Sequence, residues 1–204
     1  MNIIANNCCG GWFYRLHQVQ FNNPFIWMVA SYDSIYNAME HFYDINWANI
    51  QLSESRLRKN TYIITVDKLI ELHYVHYILS EECTELTVRP HKLYPEYDGN
   101  ILGDQIWNYV VDTYMKRTRR MIASAEQPSF LIRDEKYASV GTHKRIYDIA
   151  CCPVPYKRVI ITKEPITSPD ETKCKIIHTE TIEFPKPTIE KYYNQLNGFY
   201  GLTK

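Results

Sequence analysis

The sequence predicts an α/β protein, a three-layer sandwich with a mostly parallel central sheet. Two observations point there. Short runs of apolar and β-branched residues, such as Tyr62-Ile-Ile-Thr-Val66 and Arg158-Val-Ile-Ile-Thr162, alternate with stretches whose apolar residues recur at helical spacing. That alternation is the one that builds a parallel sheet with helices on its faces. A chain of 204 residues, 45% of them hydrophobic, can also bury a core without disulfide staples.

Taken in order, residues 2–5 read as a short buried strand. Asn6, Asn7, Gly10 and Gly11 predict a turn. A helix is expected over 12–18, with Phe13 and Leu16 on one face. Asn22-Asn23-Pro24 breaks the chain, and Phe25 to Ala30 is an apolar run, strand or loop. Ser31 is a candidate N-cap for a helix over 32–43, whose inner face carries Ile35, Met39 and Phe42. Residues 44–60 are polar and irregular. A strand follows over 62–66, then a turn at Asp67-Lys68, then an alternating aromatic strand over 69–78.

Residues 79–100 read as a loop-rich insertion with Pro90, Pro95 and Asp98-Gly99. The clearest helix of the chain spans 105–124. A strand at 129–133, a polar loop at 134–143, a short helix at 144–150 and a strand at 158–162 complete the alternation. Beyond Lys163 the composition changes. Pro165, Pro169, Pro185 and Pro187 bracket a hairpin or extended strand over 175–184, and a short helix follows over 188–196. The division expected is therefore a core domain, 1–162, and a C-terminal extension, 163–204.

Charge and cysteine usage narrow the function classes. The 23 basic and 23 acidic residues cancel, which argues against nucleic acid as a partner. No apolar run approaches the length of a membrane span, and the N-terminus carries no secretory pattern. Six cysteines, two pairs of them vicinal, make neither a disulfide framework nor a zinc ribbon. No metal is expected, and free thiols fit a cytoplasmic protein. Seventeen tyrosines suggest an aromatic-lined surface or groove.

The stretch that bears on chemistry is Asn6-Asn7-Cys8-Cys9-Gly10-Gly11, at the exit of the first strand. In an open α/β sheet, sites lie beyond the carboxyl ends of strands. A thiol there, at the start of a helix, feels the positive end of the dipole, which favours thiolate. Asn7 and the amides of Gly10 and Gly11 are placed to stabilise an oxyanion. Against this stands the fact that cysteine is among the most buried residue types.

A thiol nucleophile needs a base, and the strand Leu69–Ile78 offers His73 and His76. The two point to opposite faces, and Glu71 shares a face with His73. A core role is the commoner fate of such a histidine. The run Lys116-Arg117-Thr118-Arg119-Arg120 is the one dense basic cluster. Its bland reading is a solvated helix face. Its functional reading is an anion site, because guanidinium forks suit phosphates.

These segments together resemble a bacterial family of unknown function described as exopolysaccharide biosynthesis proteins. That family carries Asn-Asn-Cys-x-Gly-Gly after a strand, a Pro-Phe-Ile segment, a segment with two histidines and an Arg-rich helix. Here these are Asn6-Asn7-Cys8-Cys9-Gly10-Gly11, Pro24-Phe25-Ile26, His73 with His76, and 116–120, so the resemblance covers about residues 2–162. It places the family cysteine at Cys8 rather than Cys9. The layout is also similar to capsular-polysaccharide acetyltransferases that bind coenzyme A, and to proteins described as papain-like cysteine peptidases. Ile26 stands where the peptidase group has Asp, which weakens that likeness.

The resemblance implies an acyltransferase that moves an O-acetyl group onto a sugar or polysaccharide precursor. Cys8 with His73 or His76 and Asn7 would be catalytic. Gly10, Gly11, Arg117, Arg119 and Arg120 would hold coenzyme A or acetyl-coenzyme A. The partners would be a small acyl donor and a sugar-type acceptor. Two other readings stand beside it: a cysteine hydrolase using the same pair, and a sugar- or nucleotide-binding module that stacks ligands on Trp12, Trp27 and Trp47.

Overall fold

Four strands are apolar almost without interruption, and they pair in parallel. In the computed structural model, which describes residues 1–54, 62–74, 102–134, 142–181 and 185–202, these are β1 (Ile3–Ala5), β6 (Ser129–Arg133), β7 (Arg158–Thr162) and β8 (Cys174–His178). Their order is β1-β6-β7-β8, all parallel. A parallel sheet is covered on both faces, so successive side chains enter two different cores. Ile4, Phe130, Ile132, Ile160 and Cys174 face one. Ile3, Ala5, Leu131, Val159, Ile161 and Ile177 face the other.

The second core is closed by α1 (Cys9–Leu16) and α5 (Pro185–Tyr200), which pack on each other. Phe13 and Tyr14 come from α1, and Ile189, Tyr192 and Leu196 from α5. The first core is larger. It takes α2 (Tyr32–Glu40), α3 (Leu102–Ala123), α4 (Thr142–Cys151) and one face of a second sheet.

That second sheet is antiparallel, in the order β2-β5-β4-β3, formed by Val29–Ala30, Ile70–Tyr74, Tyr62–Val66 and Ile50–Glu54. It alternates as one buried face requires. Ala30, Ile64, Val66, Ile70 and Leu72 point into the core, while Thr65 and His73 are half-buried and Glu71 is exposed. The expectation of one mostly parallel sheet therefore holds for half of the strands among the described residues. The edge strand β3 was expected to be irregular because an edge carries polar residues such as Gln51 and Ser53 without cost.

Local chemistry explains most boundaries. Ser31 Oγ accepts from Ser34 N at 3.0 Å and starts α2. Asp67 and Lys68 both have positive φ, as a tight hairpin turn needs. Pro185 and Pro187 lie in the first turn of α5, where the missing N–H groups are not needed by the helix. Arg158 is buried and donates to the carbonyl oxygens of Ala150 (2.9 Å) and Cys152 (2.7 Å), closing the C-terminus of α4. Residues 174–178 form a strand beside β7, so the segment beyond 163 adds an edge to the parallel sheet.

Candidate functional site

The carboxyl ends of β1, β6 and β7 lie side by side. Polar residues follow each strand there: Asn6, Asn7 and Cys8 after β1, Asp134 after β6, Lys163 and Glu164 after Thr162 of β7. Asn6 extends the pairing beyond β1 with its side chain. Its Nδ2 donates to Arg133 O and its Oδ1 accepts from Arg133 N, both at 2.9 Å. Asn7 Nδ2 donates to Asn6 Oδ1 at 3.2 Å, and Asn7 Oδ1 accepts from Cys9 N at 2.9 Å. Asn7 thus ties β1 to the first turn of α1.

Cys8 is the N-cap residue of α1 and is half-buried. Helix α1 begins three residues earlier than the sequence suggests, so Gly10 and Gly11 are helical rather than part of a turn. The helix lies close on its neighbours. A Cβ at Gly10 would meet Ala5 Cβ at 2.9 Å, and one at Gly11 would meet the Trp27 indole at 2.6 Å. Gly10 N donates to Asn7 O at 3.4 Å. The two glycines therefore have a packing role, and the Gly10 amide is turned onto the chain itself.

Sequence reasoning missed the centre of this edge. Asp134 is buried, with 6% of its surface exposed. Its Oδ1 accepts from the Tyr32 hydroxyl and its Oδ2 from the Thr162 hydroxyl, both at 3.2 Å. Thr162 Oγ1 in turn accepts from Glu164 N at 3.0 Å. Three helix N-termini face this edge. Cys8 opens α1, Tyr32 opens α2, and His143 lies in the first turn of α4, paired with Glu164. Arg145 of α4 pairs with Asp33 of α2 and ties two of them together. A sequence signal existed: a polar residue directly after an apolar strand, at Asp134 and at Thr162.

The other expected site residues are dispersed. His73 lies on β5, opposite Val29 and Ile63, and faces Glu71 of its own strand (Nε2 to Oε2, 3.6 Å). Its side chain is on the outer face of the antiparallel sheet, whose strand β2 meets the end of β1 where the Ala30 N–H donates to Asn6 O at 2.9 Å. His76 lies outside the described residues. The basic run of α3 is split by its helical geometry. Arg117 is 2% exposed, donates to Ile26 O at 3.0 Å and lies over the Phe21 ring. Arg120 donates to Phe21 O at 3.0 Å. Arg119 is exposed. Two of the three arginines thus clamp the 21–26 segment beneath α3.

With this geometry in place, comparison with known proteins adds one similarity. Residues 1–89 match a family described as a domain of unknown function (DUF1919). The matched part contains β1, Cys8, the head of α1 and the antiparallel sheet, and stops before Asp134 and His143. It makes the chain similar to an uncharacterised family and brings no activity with it. The curated proteins give no match.

No helix among the described residues is long and apolar enough to cross a membrane. Nor does any group of three or more His, Cys, Asp or Glu among them stand ready for a metal. An open groove of about 440 Å³ runs along β8, between Ser168, Lys175, His178 and Phe199. No cysteine is among its lining residues.

Proposed function

We propose that the chain is an acyl-transfer enzyme that uses the Cys8 thiol at the carboxyl edge of its parallel sheet. The observation that carries this reading is the position of Cys8. It caps α1, follows β1 directly and stands beside the Asn6–Arg133–Asp134–Thr162 network. A thiol so placed has the positive end of a helix dipole behind it, which favours the nucleophilic form. The parallel sheet is the middle layer of this scaffold, between α1 with α5 and the larger core.

The donor in this reading is an acyl-coenzyme A and the acceptor a sugar hydroxyl, in keeping with the resemblance to exopolysaccharide biosynthesis proteins. The donor's leaving group departs with its bonding electrons as sulfur attacks. The acceptor oxygen then displaces Cys8. Of the three arginines, Arg119 is the exposed one and the one we assign to cofactor phosphates.

A second reading has water as the acceptor, a cysteine hydrolase. It is favoured by the engagement of Arg117 and Arg120 with the carbonyl oxygens of Ile26 and Phe21. A hydrolase needs no phosphate site.

Thermal melting with coenzyme A and acetyl-coenzyme A separates the two. A ligand at 100 times its dissociation constant stabilises by about 2.7 kcal/mol. A shift that is lost in Arg119→Ala supports transfer from coenzyme A. No shift at millimolar ligand leaves the hydrolase. Failure of Cys8 to acquire an acetyl group from either acetyl-coenzyme A or an activated ester overturns both.

A further inference from the structure

The carboxyl edge holds a histidine that neither the strand pattern nor the family match singles out. His143 lies in the first turn of α4, and its Nδ1 is paired with Glu164 Oε2. Glu164 is fixed in turn: its backbone N–H donates to Thr162 Oγ1, and the Thr162 hydroxyl donates to the buried Asp134 carboxylate. A carboxylate on Nδ1 sets the tautomer that leaves Nε2 able to accept a proton. This is the arrangement of a base with its orienting group, and it lies on the same edge as Cys8.

The strand order sets the scale. Strands β1, β6 and β7 are successive neighbours, so residues just past β1 and β7 lie about 10 Å apart, two strand spacings. Cys8 heads α1 on one face of the sheet and His143 lies at the head of α4 on the other, so an acceptor held between them would lie across the end of β6. His73 has a different partner. It pairs with Glu71 on the outer face of the other sheet.

We propose that His143, oriented by Glu164, is the proton-transfer group of this site; the inference rests on the acyl-transfer reading of Cys8. In the step assigned to it, the acceptor O–H loses its proton to His143 Nε2 as oxygen attacks the thioester carbon. The new C–O bond forms, the C–S bond breaks, and the electron pair returns to Cys8 sulfur. The imidazolium then releases its proton to solvent. Water or a sugar hydroxyl serves equally as acceptor, so the role of His143 is common to both readings.

The test uses p-nitrophenyl acetate with the purified chain. Wild type is expected to give a burst of nitrophenolate, from acetylation of Cys8, followed by slower turnover. Cys8→Ser removes the burst. His143→Gln keeps the burst, slows turnover about 10²-fold and accumulates acetyl-Cys8 in intact mass spectra. Free imidazole restores turnover to His143→Ala, which a merely structural role would not allow. Melting curves of each variant establish that it folds, and Glu164→Gln serves where His143→Ala does not. Wild-type turnover in His143→Gln, with Cys8 still acetylated, overturns the role of His143 alone. A wild type with no Cys8-dependent burst overturns the acyl-transfer reading and this inference with it.

Discussion

Gly11 lies so close to Trp27 that a Cβ at position 11 would come within 2.6 Å of the indole. The ring has little room to withdraw. Trp27 is 6% exposed, has a positive φ of 64° and is packed by Trp12 and Phe21. A Cβ at Gly10 would likewise come within 2.9 Å of Ala5 Cβ in β1. The absence of a Cβ at these two positions lets the head of α1, which Cys8 caps, lie close on β1 and on Trp27.

Gly11→Ala is therefore expected to destabilise the fold. Alanine in a helix gains about 1 kcal/mol over glycine. Overpacking a tight core costs about 1–3 kcal/mol, and a rigid indole puts this site at the upper end. Gly10→Ala meets a single methyl group and should cost less. Urea unfolding midpoints of the two variants check both the sign and the order.

The basic run of α3 should divide in the same way. Arg117→Ala removes a buried guanidinium from Ile26 O and from the Phe21 ring, and is expected to cost about 2–4 kcal/mol. Arg119→Ala, on the exposed face, should stay within about 0.5 kcal/mol. Equal effects in a denaturation series would remove the structural division proposed for these neighbours.

That division shows where sequence reading stops. The run 116–120 looks uniform as text, yet a helix turns 117 and 120 inward and 119 outward, and only packing says which face is which. Strands β4, β6 and β7 were legible because continuous or alternating apolar runs have one physical cause. Edge strand β3 was not, because an edge needs few apolar residues. The glycines after Cys8 looked like a turn because glycine is a poor helix former. Contacts from Ala5 and Trp27, distant in no local pattern, override that preference. In the candidate site, Cys8 and Cys9 were both legible as residues directly after β1, and the family resemblance selected Cys8. Asp134 and His143 were missed because their partners, Thr162 and Glu164, are far along the chain.

Alkaline pH should weaken the fold. Burial pushes the Tyr14, Tyr114 and Tyr200 hydroxyls and the Cys152 and Cys174 thiols above their ordinary ranges. In the unfolded chain thiols lose protons near pH 8.5 and phenols near pH 10, while the folded chain keeps them. The unfolded state then binds fewer protons, so stability is full below about pH 8.5 and falls as pH rises through the folded values. Melting temperature measured from pH 7 to pH 10.5 should be flat first and then decline. A rise over the upper part of that range would contradict the burial of these groups.

The hydroxyl of Thr162 connects the two halves of the edge, since it donates to Asp134 and accepts from Glu164 N. Thr162→Val keeps the shape and deletes both bonds. With Thr162 fully buried, a backbone N–H loses its acceptor and a carboxylate loses one donor, a loss of about 1–3 kcal/mol. Thr162→Ser, which retains the hydroxyl, should recover most of it. Tyr32→Phe removes the donor on the other carboxylate oxygen. Because both donors serve one carboxylate, their losses should not add, and a double-mutant cycle in urea should give a coupling of about 0.5 kcal/mol or more. Strict additivity would mean that the Asp134 carboxylate does not couple the β7 end of the edge to the head of α2.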